Sequence, residues 1–455
     1  MNLIEKRGNI RCPMEEVNIK IDPSLKNGYF KGGVRNQYFT ALSGEKDLVI
    51  ISCQIGAAVA CPVIGLLSRQ KGLRFSMLFP TIPLIVGWFL IGFAYNLEML
   101  MFGRFITGFC SGGLALTAPA FVAEIAVPSI RGTLSYAYFF NFSCGILYMF
   151  TIGSVTSYQL QSCLSILPPI LFFLLMMFIP ESPKYLVENG KTGEAIKSLM
   201  WFRMAETPEL VKNELKKLED ATLAKKDILV VNEVKFCRRE TVHPILIAGM
   251  LQTLLQACGE LPVIFYTVEI FESAGCQNGN VGTILVGVTQ IIVIAISSLF
   301  IDRFGRKPLL IGSEVLMAVC LIGLGCFLYL KEIYVGSVEN YGWFPIISLV
   351  GFIAAFAMGI GPIPFLVIGE VIAPEDKGMS SAVIIIVNRA VAFLVLFSFK
   401  YLIVLFGKHG CYWFFAGINL AGAVLIYIFV PETNGKSLEE IQLKLRNGFV
   451  FAIRE

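Results

Sequence analysis

Five side-chain amides stand almost alone in long apolar stretches: Gln252, Gln256, Gln290, Asn388 and Asn419. An amide carries donors and an acceptor together. A set that converges on one space can therefore hydrogen-bond the hydroxyls of a polar solute, while nearby rings stack on its CH faces. Amides buried between helices also act as glue, and their placement in the sequence leaves both roles open. Glu260 and Arg389 are ionisable groups set as deep in apolar sequence. Each costs at least ~2.5 kcal/mol at the centre of a bilayer, so each needs a partner or water. No catalytic or metal-binding pattern accompanies them. His243 and His409 lie at the ends of apolar segments, the twelve cysteines lack C-x-x-C spacing, and no glycine-rich phosphate loop follows a strand. Neither an enzyme nor a cofactor, a metal or a nucleic-acid partner is indicated.

The elements that hold these groups follow from composition. Of 455 residues 56% are hydrophobic and only 15% charged, against about 25% charged in soluble domains. Long windows lack the recurring polar positions a soluble core would turn to water, so the first partner is the lipid bilayer. Windows long enough to cross a ~30 Å hydrocarbon layer run through 48–68, 75–95, 99–123, 133–154, 162–180, 244–268, 280–301, 309–330, 343–369, 379–406 and 411–430. The alternation of barrel strands is missing, which leaves helices as the way to satisfy these backbones in lipid, and eleven crossings are expected. Residues 1–47 are polar and hold no apolar core of a signal peptide.

Basic residues give the orientation. Arg69, Lys71 and Arg74, then Arg131, then Arg303, Arg306 and Lys307, then Lys377 fall in alternate connections, which the positive-inside rule places in the cytoplasm. The 181–243 loop and the 431–455 tail fall on the same side. The polar 1–47 segment, with eight Lys and Arg against six acids, then lands outside, where a basic segment does not belong.

An internal repeat accounts for the misfit. Glu124 is followed at seven residues by Arg131-Gly132, and 246 positions later Glu370 is followed at seven by Lys377-Gly378. "PES" at 180–182 closes one half as "PET" at 431–433 closes the other. The chain thus divides into a front bundle at 48–180, a helical loop at 181–243 and a back bundle at 244–430. The front has five crossings to the back's six.

The motifs "GRFITGFCSGG" (103–113), "AEIAVPSIRGTL" (123–134), "PESPKYL" (180–186), "IDRFGRKPLL" (301–310), "GPIPF" (361–365) and "PETNGKSLEEI" (431–441) resemble, in order, the signature series of the sugar porter family of the major facilitator superfamily. "SIRGTL" and "VIFYTVEIFESAG" (263–275) most resemble its facilitated trehalose transporter branch. The resemblance implies an all-α membrane protein of the major facilitator fold, two pseudo-symmetric bundles rocking about a central cavity, with the first family helix excised between Ser43 and Glu45. It implies facilitative transport of a sugar, trehalose or hexose, across the plasma membrane, with no obligate protein partner evident. The family's proton-coupled members carry an acid in that first helix, so passive transport is expected. A transport-inactive relative acting as sensor, scaffold or truncated isoform is the alternative.

The resemblance also implies roles for particular residues. Glu124, Arg131, Glu181, Asp302, Arg306, Glu370, Lys377 and Glu432 would form a cytoplasmic gate, paired across the halves in one state and parted in the other; positive-inside topology and helix capping are the plainer readings. In the first basic turn Arg69 and Leu73 stand where the family has Asp and Arg, so the front lock should be the weaker. Gln256, Gln290, Phe365 and Asn388 would line the substrate site. Leu255 and Leu261 replace family amides, Phe139 replaces a Gln, and Arg389 replaces a Trp. Glu260 and Arg389 are expected to face one cavity and compensate each other. Glu269, Glu314 and Lys400 are expected to be interfacial.

Overall fold

The computed structural model describes residues 43–127, 131–231, 239–264, 267, 271, 279–334, 341–372, 377–434 and 440. Among the described residues the regular structure is helical. In the front half are α1 (Ser43–Lys71), α2 (Leu73–Leu78), α3 (Thr81–Gly92), α4 (Leu97–Ile125), α5 (Arg131–Val155), α6 (Tyr158–Leu164) and α7 (Leu167–Met176). The connecting helices are α8 (Pro183–Glu188), α9 (Thr192–Arg203) and α10 (Pro208–Val231). The back half holds α11 (Arg239–Ala257), α12 (Gly279–Phe304), α13 (Arg306–Ile333), α14 (Trp343–Met358), α15 (Ile363–Val371) and α16 (Lys377–Phe429).

Ten helical stretches among the described residues are long and apolar enough to cross a bilayer, and the front half contributes five of them: Leu48–Lys71, Leu73–Gly92, Leu97–Ile125, Ala137–Val155 and Tyr158–Met176. The eleventh expected crossing, 379–406, contains the shorter apolar helix Val383–Phe399. Its helix continues beyond that stretch until Gly407, whose φ of 74° and ψ of 172° break α16 into two arms. At 1.5 Å per residue the arms are ~45 and ~33 Å long, each enough to span. Ser43 and Glu45, between which the excision was expected, both lie at the start of α1, and residues 1–42 lie outside the described residues.

Local chemistry sets the boundaries. The Asn96 side chain caps α4 by accepting the Met99 amide at 2.8 Å, and Glu98 complements the dipole in the first turn. Ser182 caps α8, with Pro183 in the first turn. The break between α14 and α15 falls at Gly359–Pro362, and the Ile360 amide there donates to Ser313 Oγ at 3.0 Å.

Lipid removes the hydrophobic drive between helices and leaves close packing to hold them. In the front half α1 and α4 touch backbone to backbone: a Cβ on Gly108 would lie 2.0 Å from the Cys53 carbonyl oxygen. In the back half a large apolar cluster unites α11 to α16, with Leu251, Met317, Leu321, Phe352 and Phe356 sealed inside. The halves meet where α1 packs on α16 and α5 packs on α12 and α15. Helices α8 to α10 have a small core of their own around Leu186, Leu199 and Val211. Arg203 ties that unit to the end of α4, clamping Glu214 at 2.6 and 3.0 Å and donating to the Ile125 carbonyl at 2.9 Å.

Candidate functional site

The amides of α11 and the first arm of α16 find one another. Asn388 Nδ2 donates to Gln252 Oε1 at 2.8 Å and to the Gln252 carbonyl at 3.2 Å, and Gln256 Nε2 donates to Asn388 Oδ1 at 3.1 Å. Gln252 and Gln256 are one helical turn apart and so share a face. The network leaves capacity unused: Gln256 Oε1 and Gln252 Nε2 are buried without a protein partner, and so are both amide atoms of Gln290 on α12. An unsatisfied buried polar group costs ~1–3 kcal/mol, so polar groups kept in this condition point to a hydrogen-bonding occupant.

Just beyond α11 the span breaks. Gly259 has φ of +94°, a conformation that favours glycine, and packs on Phe415. The break frees the Cys258 carbonyl, and Asn419 Nδ2 takes it at 3.0 Å while also donating to Phe415 O at 2.7 Å. Asn419 thus serves as helix glue. Helical residues resume at Glu260, whose side chain is buried.

Aromatic rings carry the contact between the halves. Phe365 on α15 lies 6.3 Å from Tyr138 and 6.4 Å from Phe139 on α5, and Phe139 is 6.2 Å from Phe356. Phe139, buried against Gly361, fills with a ring the place where an amide was expected by resemblance. The site is thus aromatic on the α5 side and amide-rich on the α11 and α16 side.

Two expectations about charge are corrected. Glu260 and Arg389 form no ion pair. Successive residues on a helix point about 100° apart, so with Asn388 committed to α11, Arg389 lies on another face of α16. Glu314 is not interfacial. It is 1% exposed, its oxygens have no donor, and Leu254 and Gly422 pack beside it. Glu269 and the Lys400 side chain lie outside the described residues.

The acids of the expected gate form two matched clusters. In the front half Glu181 Oε1 accepts the Arg74 amide at 3.0 Å and the Ser182 amide at 2.9 Å, while Ser182 Oγ donates to Glu124 at 2.5 Å. In the back half Glu432 accepts the Arg306 and Lys307 amides, each at 3.0 Å, while Thr433 Oγ1 donates to Glu370 at 2.7 Å. Each helix start follows a glycine of positive φ, Gly72 at 92° and Gly305 at 85°. Glu181 and Glu432 thus cap α2 and α13, where the helix dipole favours an anion. Arg306 reaches Glu370 at 3.0 Å and also donates to Asn434. Leu73 holds the position equivalent to Arg306, and Lys184 supplies the cation instead, 3.6 Å from Glu124.

Among the described residues these contacts close within each half, and none crosses between halves. The side chains of Arg131, Asp302 and Lys377 lie outside the described residues. Sequence reasoning missed Lys184, Ser182 and Thr433, although the recurrence of a hydroxyl after each of the two glutamates in "PES" and "PET" marks them. A groove of about 740 Å³ lined by Lys197, Met200, Trp201, Phe202, Met204 and Ala205 lies on the connecting helices, away from the amide network.

Residues 28–445 match the family described as "Sugar (and other) transporter". The chain is 34% identical over 398 residues to a facilitated trehalose transporter Tret1 of Apis mellifera ligustica, covering 87% of this chain and 78% of that protein. It is 36% identical over 392 residues to the Tret1 of Drosophila virilis, covering 86% of this chain but only 42% of that longer protein. The fold is that of the major facilitator superfamily proton:xylose symporter XylE bound to 6-bromo-6-deoxy-D-glucose, with a TM-score of 0.71, 22% identity, and coverage of 88% of this chain and 89% of that one. With the family matched over nearly its whole length and a relative 34% identical over 87% of it, this chain belongs to the family described as "Sugar (and other) transporter".

Proposed function

We propose that this chain moves a sugar across a membrane by facilitative alternating access, trehalose and hexoses being the first solutes to test because the relatives are named as trehalose transporters. The observation that carries the reading is the set of buried amide atoms without protein partners at Gln252, Gln256 and Gln290, on helices of a chain of this family. Gln256, Gln290 and Asn388 offer hydrogen bonds to hydroxyls and Phe365 offers a stacking face. The bundles at 48–180 and 244–430 rock about this centre. Glu124, Arg131, Glu181, Asp302, Arg306, Glu370, Lys377 and Glu432 set the balance between states at the cytoplasmic end. The reading places the 181–243 loop and the C-terminus in the cytoplasm and the chain in the plasma membrane.

The test is uptake of labelled trehalose and glucose by the purified chain in liposomes. Saturable uptake supports transport. A second reading, a transport-inactive sensor or scaffold, is favoured by Phe139 in place of an amide and by only five crossings among the described residues of the front half. It predicts binding without flux. Antibody access to a C-terminal epitope in intact and permeabilised cells tests the orientation and the membrane of residence.

A further inference from the structure

Arg389 lies on the first arm of α16, directly after the Asn388 of the amide network, and α16 packs against α1 of the other half. Its Nε is buried with no acceptor, and among the described residues no carboxylate pairs with it. A second cation, in the front half, is in the same condition. Arg104 of α4 also has a buried Nε with no acceptor, and its guanidinium is 6.0 Å from the centre of the Trp88 ring. Arg104 is one turn before Gly108, which touches the Cys53 backbone. Each half thus carries one guanidinium whose Nε is buried without an acceptor, on a helix that packs against α1. Neither of the two buried glutamates of the back half, Glu260 and Glu314, forms an ion pair with Arg389: Glu314 lies against Leu254 and Gly422, and Glu260 follows the Gly259 break. A guanidinium without a counter-ion inside a membrane protein is costly, and its planar fork matches a carboxylate or phosphate.

We propose that the central site takes a hydroxylated solute bearing an anionic group, such as a sugar acid, with Arg389 receiving the anion and the Asn388 network receiving hydroxyls. The proposal rests on the transport reading for its site and narrows the solute within it. Arg389 is a specificity-determining residue, and Arg104 adds to the positive field that draws the anion in.

The experiment uses the full chain with labelled glucuronate, glucose 6-phosphate, glucose and trehalose, read as equilibrium binding in detergent and as uptake into liposomes. At least one anion binds saturably, and Arg389→Trp weakens that binding by about tenfold or more relative to neutral sugars, the loss of one charge-assisted contact. Arg389→Lys retains most of the anion binding. Its thermal midpoint, measured beside that of Arg389→Trp, separates lost charge from lost fold. Glucuronate against glucose 6-phosphate separates carboxylate from phosphate. Neutral sugars moving while neither anion competes overturns the proposal and leaves transport standing. Anion binding without uptake supports the proposal and overturns transport. No binding of any of the four solutes overturns both.

Discussion

Arg306 lies 3.0 Å from Glu370, with 8% and 22% of the two side chains exposed, whereas Lys184 lies 3.6 Å from Glu124 with 34% and 23% exposed. The two pairs do the same work in the two halves at different strengths. The back pair is enclosed, and Glu370 is also held by Thr433. The front pair is wetter and joined through a flexible ammonium.

Breaking an enclosed pair strands a buried charge and costs ~3–5 kcal/mol, while an exposed pair contributes ~0–1 kcal/mol. Arg306→Leu therefore lowers the thermal midpoint in detergent sharply, and Lys184→Met barely moves it. Equal shifts for the two variants would contradict the ranking.

Glu314 gives the opposite sign. Its carboxylate is sealed among apolar side chains with no donor on either oxygen, so a residue of similar volume and no polar atoms relieves a desolvation cost. Replacing buried ionic groups by apolar ones stabilises by ~1–4 kcal/mol in favourable cases. Glu314→Leu is expected to raise the denaturation midpoint. A fall would show that the carboxylate serves a partner in another state of the transport cycle.

Asn388 tests the amide network. Asn388→Ala removes the partner of Gln252 Oε1 and of Gln256 Nε2 together. Leaving such groups unpaired costs ~1–3 kcal/mol. Stability and solute binding should both fall. If the network is glue alone, stability falls and the affinity measured by solute titration stays unchanged.

Most of the fold was legible because lipid enforces it: backbones that must satisfy themselves produce long apolar windows, and all ten long spans fall on expected ones. The acids of the two matched clusters were legible through their repeated spacing. The failures share a cause, since sequence gives depth along a helix but not the direction a side chain faces. Glu314 was read by its position in the span, yet the side it faces is interior. Glu260 and Arg389 were matched by depth and charge, but the Gly259 break and the commitment of Asn388 to α11 part them. Lys184 was unreadable as a replacement for the missing Arg at 73 until α8 was folded onto α4.

The contact of Gly108 with Cys53 makes the last prediction. A Cβ at residue 108 would lie 2.0 Å from a carbonyl oxygen and 2.7 Å from its carbon, both backbone atoms that cannot swing aside. The added methyl must push α1 and α4 apart, opening the packing that holds helices together in lipid. Overpacking typically costs ~1–3 kcal/mol, and the backbone clash here puts the cost at or above the top of that range. Gly108→Ala should therefore leave little monodisperse protein on size-exclusion chromatography. Gly145→Ala, with nothing within 4 Å of the new Cβ, should behave as wild type. Normal behaviour of Gly108→Ala would mean that α1 is not locked to α4 at this crossing.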